Sequence, residues 1–552
     1  MRLSGFLLFM SLLPGVIPAQ DTAQLARTGQ QAANRGDYTT AVYFLKQVVT
    51  AEPKHASAWE ALGRAYLALD QVDAAIDACL RQIEAHPQIP GVYSTLGRAL
   101  WRKGKRDEAI SAFQQQIDVD PRNSSAHGEL GRLYCELERY ADAVPELEKA
   151  VAMEPRNTLY QAPLGDAYLG LGQVDKGLAA LDELVQDNPS ANTWNAVAHQ
   201  LASHKLELER AQRYAESAVT IVTTDLRNVE VDHISIPALR HVVSLASYWD
   251  TLGWVHFQRG DGEEAGKFLQ ASWSANPDGP VGDHLGQLYA SRGQKREAVQ
   301  ALSQALAAPR ALPETRHRLE ALVAAGETDP LIQRAGGELV SARTFPAGKL
   351  FAEKAAADFY VAQVPVPGIV EARFIRGDDR LRPFAKTLEG IVPAGVFPDA
   401  TPAKLIRRVT LTCPGEGGEC SIEILPASAA VFAELNSIPP NTHFVSEPLP
   451  ARPGVFPVGS GVTPPVPIYR PEPQYSKEAL KKKYQGTVVL YVEVDPSGHP
   501  RNIKVMRSLG LGLDEKAIEA VSQWEFRPGM KDGKPVTVAA TVEVNFRLLK
   551  DH

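Results

Sequence analysis

The chain has 552 residues, too many for one hydrophobic core, and its length predicts about three or four domains. With 44% hydrophobic and 22% charged residues, it has the composition of a folded, soluble protein. The formal net charge of −7 does not favour nucleic-acid binding, and four cysteines without zinc spacing predict neither a disulfide scaffold nor a metal site. No residues are arranged as a catalytic triad or a phosphate-binding loop, so we expect neither an enzyme nor a cofactor.

Residues 1–19 have the pattern of a secretory signal. Arg2 supplies a positive charge, residues 6–17 form an apolar run, and Ile17-Pro18-Ala19 resembles a cleavage site. The run contains Pro14-Gly15 and is short for a membrane span, which needs about 20 residues. We therefore expect an exported protein; the alternative is that this segment is retained as a membrane anchor.

A period of 34 residues governs the chain that follows. It is marked by columns of proline, leucine, glycine and a small residue: Pro53, Pro87, Pro121, Pro155 and Pro189; Leu62, Leu96, Leu130 and Leu164; Gly63, Gly97, Gly131 and Gly165; Ala41, Ala75, Ala109, Ala143 and Gly177. Large apolar residues recur at helical spacing, small residues let two helices approach closely, and each proline ends a helix. One helix pair cannot bury its apolar face alone, so the pairs must stack into a solenoid.

This pattern resembles the tetratricopeptide repeat (TPR), and the resemblance implies an all-α solenoid over residues 20–326. We expect an irregular insertion near residues 226–240, where the repeat spacing is lost. A terminal capping helix is predicted at residues 314–325, because the exposed end of a solenoid needs a polar outer face.

TPR solenoids present a concave groove lined by the first helix of each pair, and the residue after the repeat glycine is one of the groove positions. Three arginines one repeat apart and two residues one turn further form the predicted groove site: Arg64, Arg98, Arg132, Trp101 and Arg102. Because arginine binds carboxylates in a bidentate manner, we predict an acidic segment or chain terminus as the ligand. The alternative is that these arginines pair with Glu60, Glu136 and their neighbours on the helix surface.

Residues 327–437 change character and predict a small α+β domain. Strands are expected at residues 369–375 and 405–412, with a short helix at residues 382–389 between them. Cys413 and Cys420 flank a turn at facing strand ends, and we predict a disulfide between them in an exported protein. Cys79 and Cys135 fall on repeat helices and are expected to be core thiols.

Residues 438–467 form a proline-rich linker, and residues 468–552 carry a second recognisable pattern. The sequence Pro473-Gln474-Tyr475 precedes a strand at residues 486–494, a turn at Asp495-Pro496-Ser497-Gly498 and a returning strand. A helix from residue 513 leads into Trp524-Glu525-Phe526-Arg527-Pro528, and a long last strand follows. The segment resembles the TonB C-terminal domain. With that template, residues 368–412 also look like a degenerate copy, with Gly368 and the strand at residue 369 as its start.

The TonB resemblance implies three antiparallel strands with the last one at an edge. TonB proteins bind a short peptide of outer-membrane receptors by strand addition to such an edge. The corresponding residues in this chain are Gln474, Val536, Val538, Ala540, Val542 and Val544. The alternative is that this edge pairs with the middle domain or with a second copy of the chain.

The predicted fold is therefore multidomain, with an all-α TPR solenoid followed by small α+β domains. The predicted function is a periplasmic adaptor of the cell envelope that binds protein or peptide partners, including outer-membrane receptors. The alternative is a TonB-type energy transducer that keeps its N-terminal anchor.

Overall fold

The computed structural model describes residues 19–89, 91–155, 157–227, 229–231, 234–350, 353–365, 370–398, 403–438, 440, 454–457, 462–471, 473–481, 486–507 and 513–546. The predicted signal at residues 1–19 falls almost entirely outside them. The chain divides into two compact units, Met1–Thr442 and His443–His552. Each is described by itself.

The first unit begins with antiparallel helix pairs. The helices are α1 Ala19–Asn34, α2 Tyr38–Ala51, α3 Ala58–Ala68, α4 Val72–Ala85, α5 Val92–Arg102, α6 Arg106–Val119, α7 Ser124–Glu136, α8 Tyr140–Met153, α9 Thr158–Gly170, α10 Val174–Asp187, α11 Ala191–Ser203, α12 Leu208–Arg227, α13 Ile236–Gln258, α14 Gly262–Ala275, α15 Gly279–Ser291, α16 Lys295–Ala307, α17 Pro313–Glu320 and α18 Thr328–Ser341. Each odd-numbered helix from α1 to α15 packs against the one after it. The mostly helical TPR solenoid predicted from the 34-residue period is confirmed.

The repeat glycine brings the two helices of a pair together. A Cβ on Gly97 of α5 would lie 2.7 Å from the Phe113 ring of α6, closer than side chains normally approach. Phe113 is fully buried there, and Ala109 beside it on α6 is buried as well. The N-terminus of α7 is capped by Asn123, whose side chain accepts a hydrogen bond from Ala126 N.

The solenoid departs from the predicted boundaries at two places. Helix α13 begins at Ile236, so residues 236–240 of the predicted insertion are helical. The capping helix α17 is shorter than predicted, and α18 follows it and packs against α16 beyond residue 326. Gly336-Gly337 lower the helix propensity of this segment, but Ala335 and Leu339 are spaced one turn apart and bury one face.

The middle of the chain forms an antiparallel five-stranded sheet in the order β1-β5-β4-β2-β3. Its elements are β1 Thr344–Gly348, β2 Lys354–Gln363, β3 Val370–Gly377, a 3-10 turn Asp379–Phe384, α19 Ala385–Ile391, β4 Leu405–Pro414, β5 Cys420–Ile424 and α20 Ala427–Leu435. Cys413 and Cys420 are joined by a disulfide at the β4–β5 hairpin. Cys79 is buried and Cys135 is partly buried on the repeat helices, both as free thiols.

Strand β2 is an inner strand of this sheet and was absent from the prediction. It pairs with β3 on one side and with β4 on the other, and α19 lies between β3 and β4 in sequence. The predicted strand at residues 369–375 is therefore the second strand of a hairpin rather than the first. Gly368, the predicted start of a degenerate copy, lies outside the described residues. The strand in the place of the first strand of the TonB-type segment is β2, one strand earlier than predicted.

The middle sheet packs against the solenoid through an apolar contact. Phe397 meets Trp249 of α13 edge to face, with ring centroids 6.3 Å apart, and α20 and β4 lie against the same helix. At this contact Arg407 Nη2 donates to Ser274 Oγ at 3.0 Å, and burial lowers the pKa of Arg407 to about 10. At the other end of the solenoid, Asn436 Nδ2 donates to Leu69 O at 2.9 Å. The middle sheet thus contacts both halves of the solenoid.

The second unit contains small sheets and two helices. Its elements are β6 Val455–Pro457, β7 Val466–Tyr469, α21 Lys477–Lys481, β8 Gly486–Val494, β9 Pro500–Arg507, α22 Leu513–Ser522, β10 Glu525–Arg527, β11 Met530–Lys531, β12 Lys534–Pro535 and β13 Thr537–Phe546. The main sheet has the order β6-β13-β8-β9, and β10 pairs with β7. Strands β9-β8-β13 have the order and connections of β3-β2-β4, with α22 in the place of α19. The common origin of the two sheets stays a prediction.

Candidate peptide-binding sites

A cavity of about 930 Å³ opens on the N-terminal half of the solenoid. It is lined by the first helices α3, α5 and α7, by the end of α1, and by residues 308–311 between α16 and α17. All five predicted groove residues line it: Arg64, Arg98, Trp101, Arg102 and Arg132. They come together because the same column of successive repeats faces the same side of a solenoid.

Two of the groove arginines pair with carboxylates of their own helices. Arg64 Nε lies 2.9 Å from Glu60 Oε1, and Arg132 Nη1 lies 2.8 Å from Glu129 Oε2. The Arg132 guanidinium also lies over the Trp101 ring, 5.4 Å from its centroid. The alternative interpretation, surface pairing, therefore describes Arg64 and Arg132, although both also line the cavity.

Arg98 is placed differently. Its Nε is buried and has no hydrogen-bond partner among the described residues. Burial raises the pKa of the nearby Glu60 carboxyl above its usual value, against the opposing charges of Arg64 and Arg98. Arg102 is satisfied only in part by protein groups, donating from Nη1 to Leu67 O at 2.7 Å and lying 3.3 Å from Asp70 Oδ1.

Three further cationic residues line the cavity and were missed in the sequence, namely Lys103, Arg106 and Arg310. Arg106 lies four residues after Arg102, where its position could have suggested a role; its Nε is 2.8 Å from Glu136 Oε1. Its Nη2 donates to Ala311 O at 2.6 Å. Arg310 enters from the far end of the solenoid and pairs with Asp278. No sequence signal predicts the hydrogen bond from Arg106 to Ala311, because it joins residues 205 positions apart.

Cationic side chains outnumber carboxylates in the lining of the cavity. Its lining holds seven cationic side chains, Arg64, Arg98, Arg102, Lys103, Arg106, Arg132 and Arg310, and two carboxylates, Glu129 and Glu136. Six of the seven cations also form ion pairs within the chain: Arg64 with Glu60, Arg102 with Asp70, Lys103 with Asp73, Arg106 with Glu136, Arg132 with Glu129 and Arg310 with Asp278. Arg98 is in no such pair among the described residues. Guanidinium groups around a cavity can bind an anionic ligand by charge-assisted hydrogen bonds.

The C-terminal half of the solenoid is filled by protein instead. Asp283 of α15 accepts hydrogen bonds from Thr315 at 2.8 Å and Arg318 at 2.9 Å, both on α17. The buried His284 Nδ1 lies 2.9 Å from Asp250 Oδ1. Asp283 and Asp250 are thus paired within the protein, unlike the Nε of Arg98 in the cavity, which has no hydrogen-bond partner among the described residues.

The second candidate site is the outer edge of β13. Strand β13 pairs with β8 from Val538 to Phe546 on one side, as predicted for a last strand. On the other side β6 pairs in parallel with Thr537, Val538 and Ala539. The prediction of a three-stranded sheet with a fully open edge is therefore wrong: the apolar segment Val455–Pro457, inside the predicted linker, forms a fourth strand.

From Ala540 to Phe546 the outer edge of β13 has no strand partner among the described residues. The predicted edge residues Val538, Val542 and Val544 are buried in the core, so only the backbone of these residues could contact a peptide. Val536 lies just before the strand and donates its N–H to Gly529 O. The predicted Gln474 is exposed next to Tyr475, whose ring packs against Phe546 at the end of β13.

A repeat solenoid with a basic cavity, together with a small sheet whose edge is partly open, defines a protein-interaction scaffold. Comparison with known proteins agrees. Residues 32–98 and 136–199 match one family model described as tetratricopeptide repeat, and residues 94–160 match another. Residues 471–548 match the model described as Gram-negative bacterial TonB protein C-terminal. The chain thus carries tetratricopeptide repeats and a TonB-type C-terminal domain, both protein-interaction modules.

The curated relatives match only the C-terminal segment. Protein tonB2 of Pseudomonas aeruginosa is 35% identical over 82 residues, which is 15% of this chain and 30% of that protein. Protein TonB of Vibrio cholerae is 33% identical over 78 residues, 14% of this chain and 32% of that protein. The chain therefore spans about a third of the length of these relatives. A solved tetratricopeptide repeat protein from Parabacteroides merdae is 12% identical with a TM-score of 0.32, covering 57% of this chain and 99% of that one.

No helix within the described ranges is long and apolar enough to cross a membrane.

Proposed function

We propose that this protein is an exported adaptor of the cell envelope with two separate peptide-binding sites. The cavity of the solenoid binds an acidic segment of one partner, and the free edge of β13 binds an extended segment of an outer-membrane receptor. The observation that carries the proposal is the gathering of seven cationic side chains around one cavity in an acidic chain.

Arg98 supports the choice of a carboxylate ligand. A buried donor without a partner is costly, and a ligand oxygen that accepts its hydrogen bond would remove that cost. Arg102 and Arg106 each already donate to a backbone carbonyl, which shows that their guanidinium groups reach acceptors in this cavity. A ligand with several carboxylates would engage these side chains together.

The edge of β13 supports the second binding site. An edge strand offers unpaired N–H and C=O groups, and an extended peptide can add to it as a further strand. The unpaired part, Ala540 to Phe546, is long enough for a peptide of several residues, and it ends beside the Tyr475 ring.

The cavity site predicts a loss of binding when its arginines are removed. The variant Arg64→Ala, Arg98→Ala, Arg132→Ala should bind a synthetic octa-glutamate peptide at least about tenfold more weakly than wild type, because each charge-assisted hydrogen bond contributes about 1.5–3 kcal/mol. Fluorescence anisotropy at two salt concentrations measures this, and the wild-type affinity should fall with salt.

Arg296→Ala is the matched control, since Arg296 is an exposed cation on α16 outside the cavity. Its affinity should equal that of wild type, and circular dichroism should show unchanged helicity in both variants. Equal binding by the triple variant and wild type would refute the cavity as the site. The same peptide with an amidated C-terminus distinguishes two kinds of ligand. If the cavity binds a chain terminus, amidation should lower the affinity. If it binds an internal acidic segment, the affinity should not change.

The adaptor differs from the alternative, an anchored transducer, at its N-terminus. We expect the mature chain to begin at or near Gln20, since Thr22 of α1, three residues after the proposed cleavage site, is already buried. Intact-mass measurement of the protein from the cell envelope tests this. A membrane-bound form that retains Met1 would favour the transducer.

A further inference from the structure

Strand β6 lies on the edge of β13 where the proposed receptor peptide would begin to pair. Val455 is opposite Thr537, Phe456 is opposite Val538, and Pro457 is opposite Ala539, in parallel orientation. The Lys531 ammonium lies 4.2 Å from the centre of the Phe456 ring and fixes this side chain against the unit. A segment of the chain itself therefore makes the backbone contacts that an added strand would make.

The chain on the C-terminal side of β6 is anchored to the same unit. Val462 forms a bridge with Lys531, Thr463 N donates to Met530 O at 2.9 Å, and β7 pairs with β10. These anchors begin five residues after Pro457 in sequence. Such a tether holds β6 at a high effective concentration near the edge.

The pairing of β6 is limited by its own sequence. Proline has no N–H, so Pro457 cannot donate to a continuing ladder, and within the described part of this segment the pairing ends at Ala539. The edge from Ala540 onward stays without a strand partner among the residues that the structure describes. An external peptide without a proline at this position could pair along the whole edge.

We propose that β6 is an internal competitor for the peptide-binding edge of β13. It occupies the first three positions of the edge, and an extended peptide that pairs in parallel with β13 must displace it. A partner succeeds by covering positions 540–546 as well, where no described residue of this segment pairs. This inference rests on the proposed function of the β13 edge, and it adds the regulation of that site.

The test removes the pairing capacity of β6 in the full chain. In the variant Val455→Pro, Phe456→Pro two backbone donors and the aromatic contact with Lys531 are lost. The matched control Phe444→Pro, Val445→Pro changes the same two residue types in the same proline-rich segment. Hydrogen-exchange mass spectrometry reports whether the edge at residues 537–539 opens. Anisotropy reports binding of a labelled synthetic peptide with the sequence of residues 452–460 and the change Pro457→Val, which lets the peptide pair beyond Ala539.

We expect faster exchange at residues 537–539 in the β6 variant and no change there in the control. The variant should bind the labelled peptide about tenfold more tightly than wild type and control, because in them a tethered strand at millimolar effective concentration competes. Unchanged exchange would overturn the inference, as β6 would then not cover the edge.

Equal peptide binding by variant and wild type would overturn the competition while leaving the edge as a peptide site. If the edge opens in the variant but the labelled peptide binds neither the variant nor wild type, both the competition and the proposed function of the edge would be overturned. The two failures are therefore distinguishable.

Discussion

Replacing Gly498 by alanine should destabilise the C-terminal unit by about 3 kcal/mol or more, the largest effect we expect from one methyl group in this chain. Gly498 has φ +88°, in the left-handed region that alanine avoids. Its Cβ would also overlap the carbonyl oxygen of Phe526, whose N–H donates to Gly498 O at 2.9 Å. The turn after β8 and the Trp524–Pro528 motif are thus held together by a contact that admits no side chain.

Gly533→Ala is the control for this prediction. Gly533 has φ +75° in another turn of the same unit, but a Cβ there meets nothing within 4 Å. The Gly533→Ala variant should lose only the free energy of the backbone strain in the left-handed region, about 1–2 kcal/mol. Hydrogen exchange of the β8 amides measures the free energy of opening for both variants. Equal losses would show that the contact with Phe526 adds nothing.

Replacing Arg408 by alanine should destabilise the first unit by about 3–5 kcal/mol. Arg408 is 1% exposed in the middle sheet; its Nη2 lies 2.6 Å from Asp358 Oδ2 and its Nη1 lies 3.1 Å from Glu434 Oε2. Removing the guanidinium leaves two carboxylates facing each other without their shared cation, one of them mostly buried. Urea unfolding of the full chain, followed by exchange at β2 and β4, tests the effect.

Arg376→Ala is the matched control, because Arg376 also pairs with Asp358, at 2.9 Å, but its side chain is 45% exposed. Solvent screens that ion pair, and we expect a loss below about 1 kcal/mol. A comparable loss in both variants would mean that the burial of Arg408 is not what makes its ion pairs important.

The Asp358 ion pair also sets a pH dependence. Burial alone would raise the pKa of Asp358, but hydrogen bonds from Arg408 and Thr410 and the charge of Arg408 hold it below its usual value. A carboxyl whose pKa is lower in the folded state stabilises the fold above its unfolded pKa, about 3.9. That contribution should fade as the pH falls from there through the folded pKa. The loss of stability at acidic pH should be smaller in the Arg408→Ala variant, because Arg408 is one cause of the low pKa of Asp358.

Much of the fold follows from local pattern. The 34-residue columns place Arg64, Arg98 and Arg132 on one face because helix periodicity and repeat stacking act between neighbours in sequence. The turn at Gly498 and the strands β8, β9 and β13 likewise follow from residues within one hairpin or one motif. Helix α18 and strand β2 escaped prediction because their burial depends on partners, α16 and β4, that are distant from them in sequence.

The sequence by itself determined the solenoid, the row of arginines and the TonB-type strand pattern, since each depends on spacings shorter than one repeat or one motif. Only the tertiary structure decided that residues 308–311 close the cavity against Arg106, that the middle sheet packs on the solenoid, and that β6 covers the start of the β13 edge. These contacts join residues between 82 and 205 positions apart, and no periodicity relates them. They form because the folded elements leave an apolar face, a buried donor or an unpaired edge that another segment can satisfy.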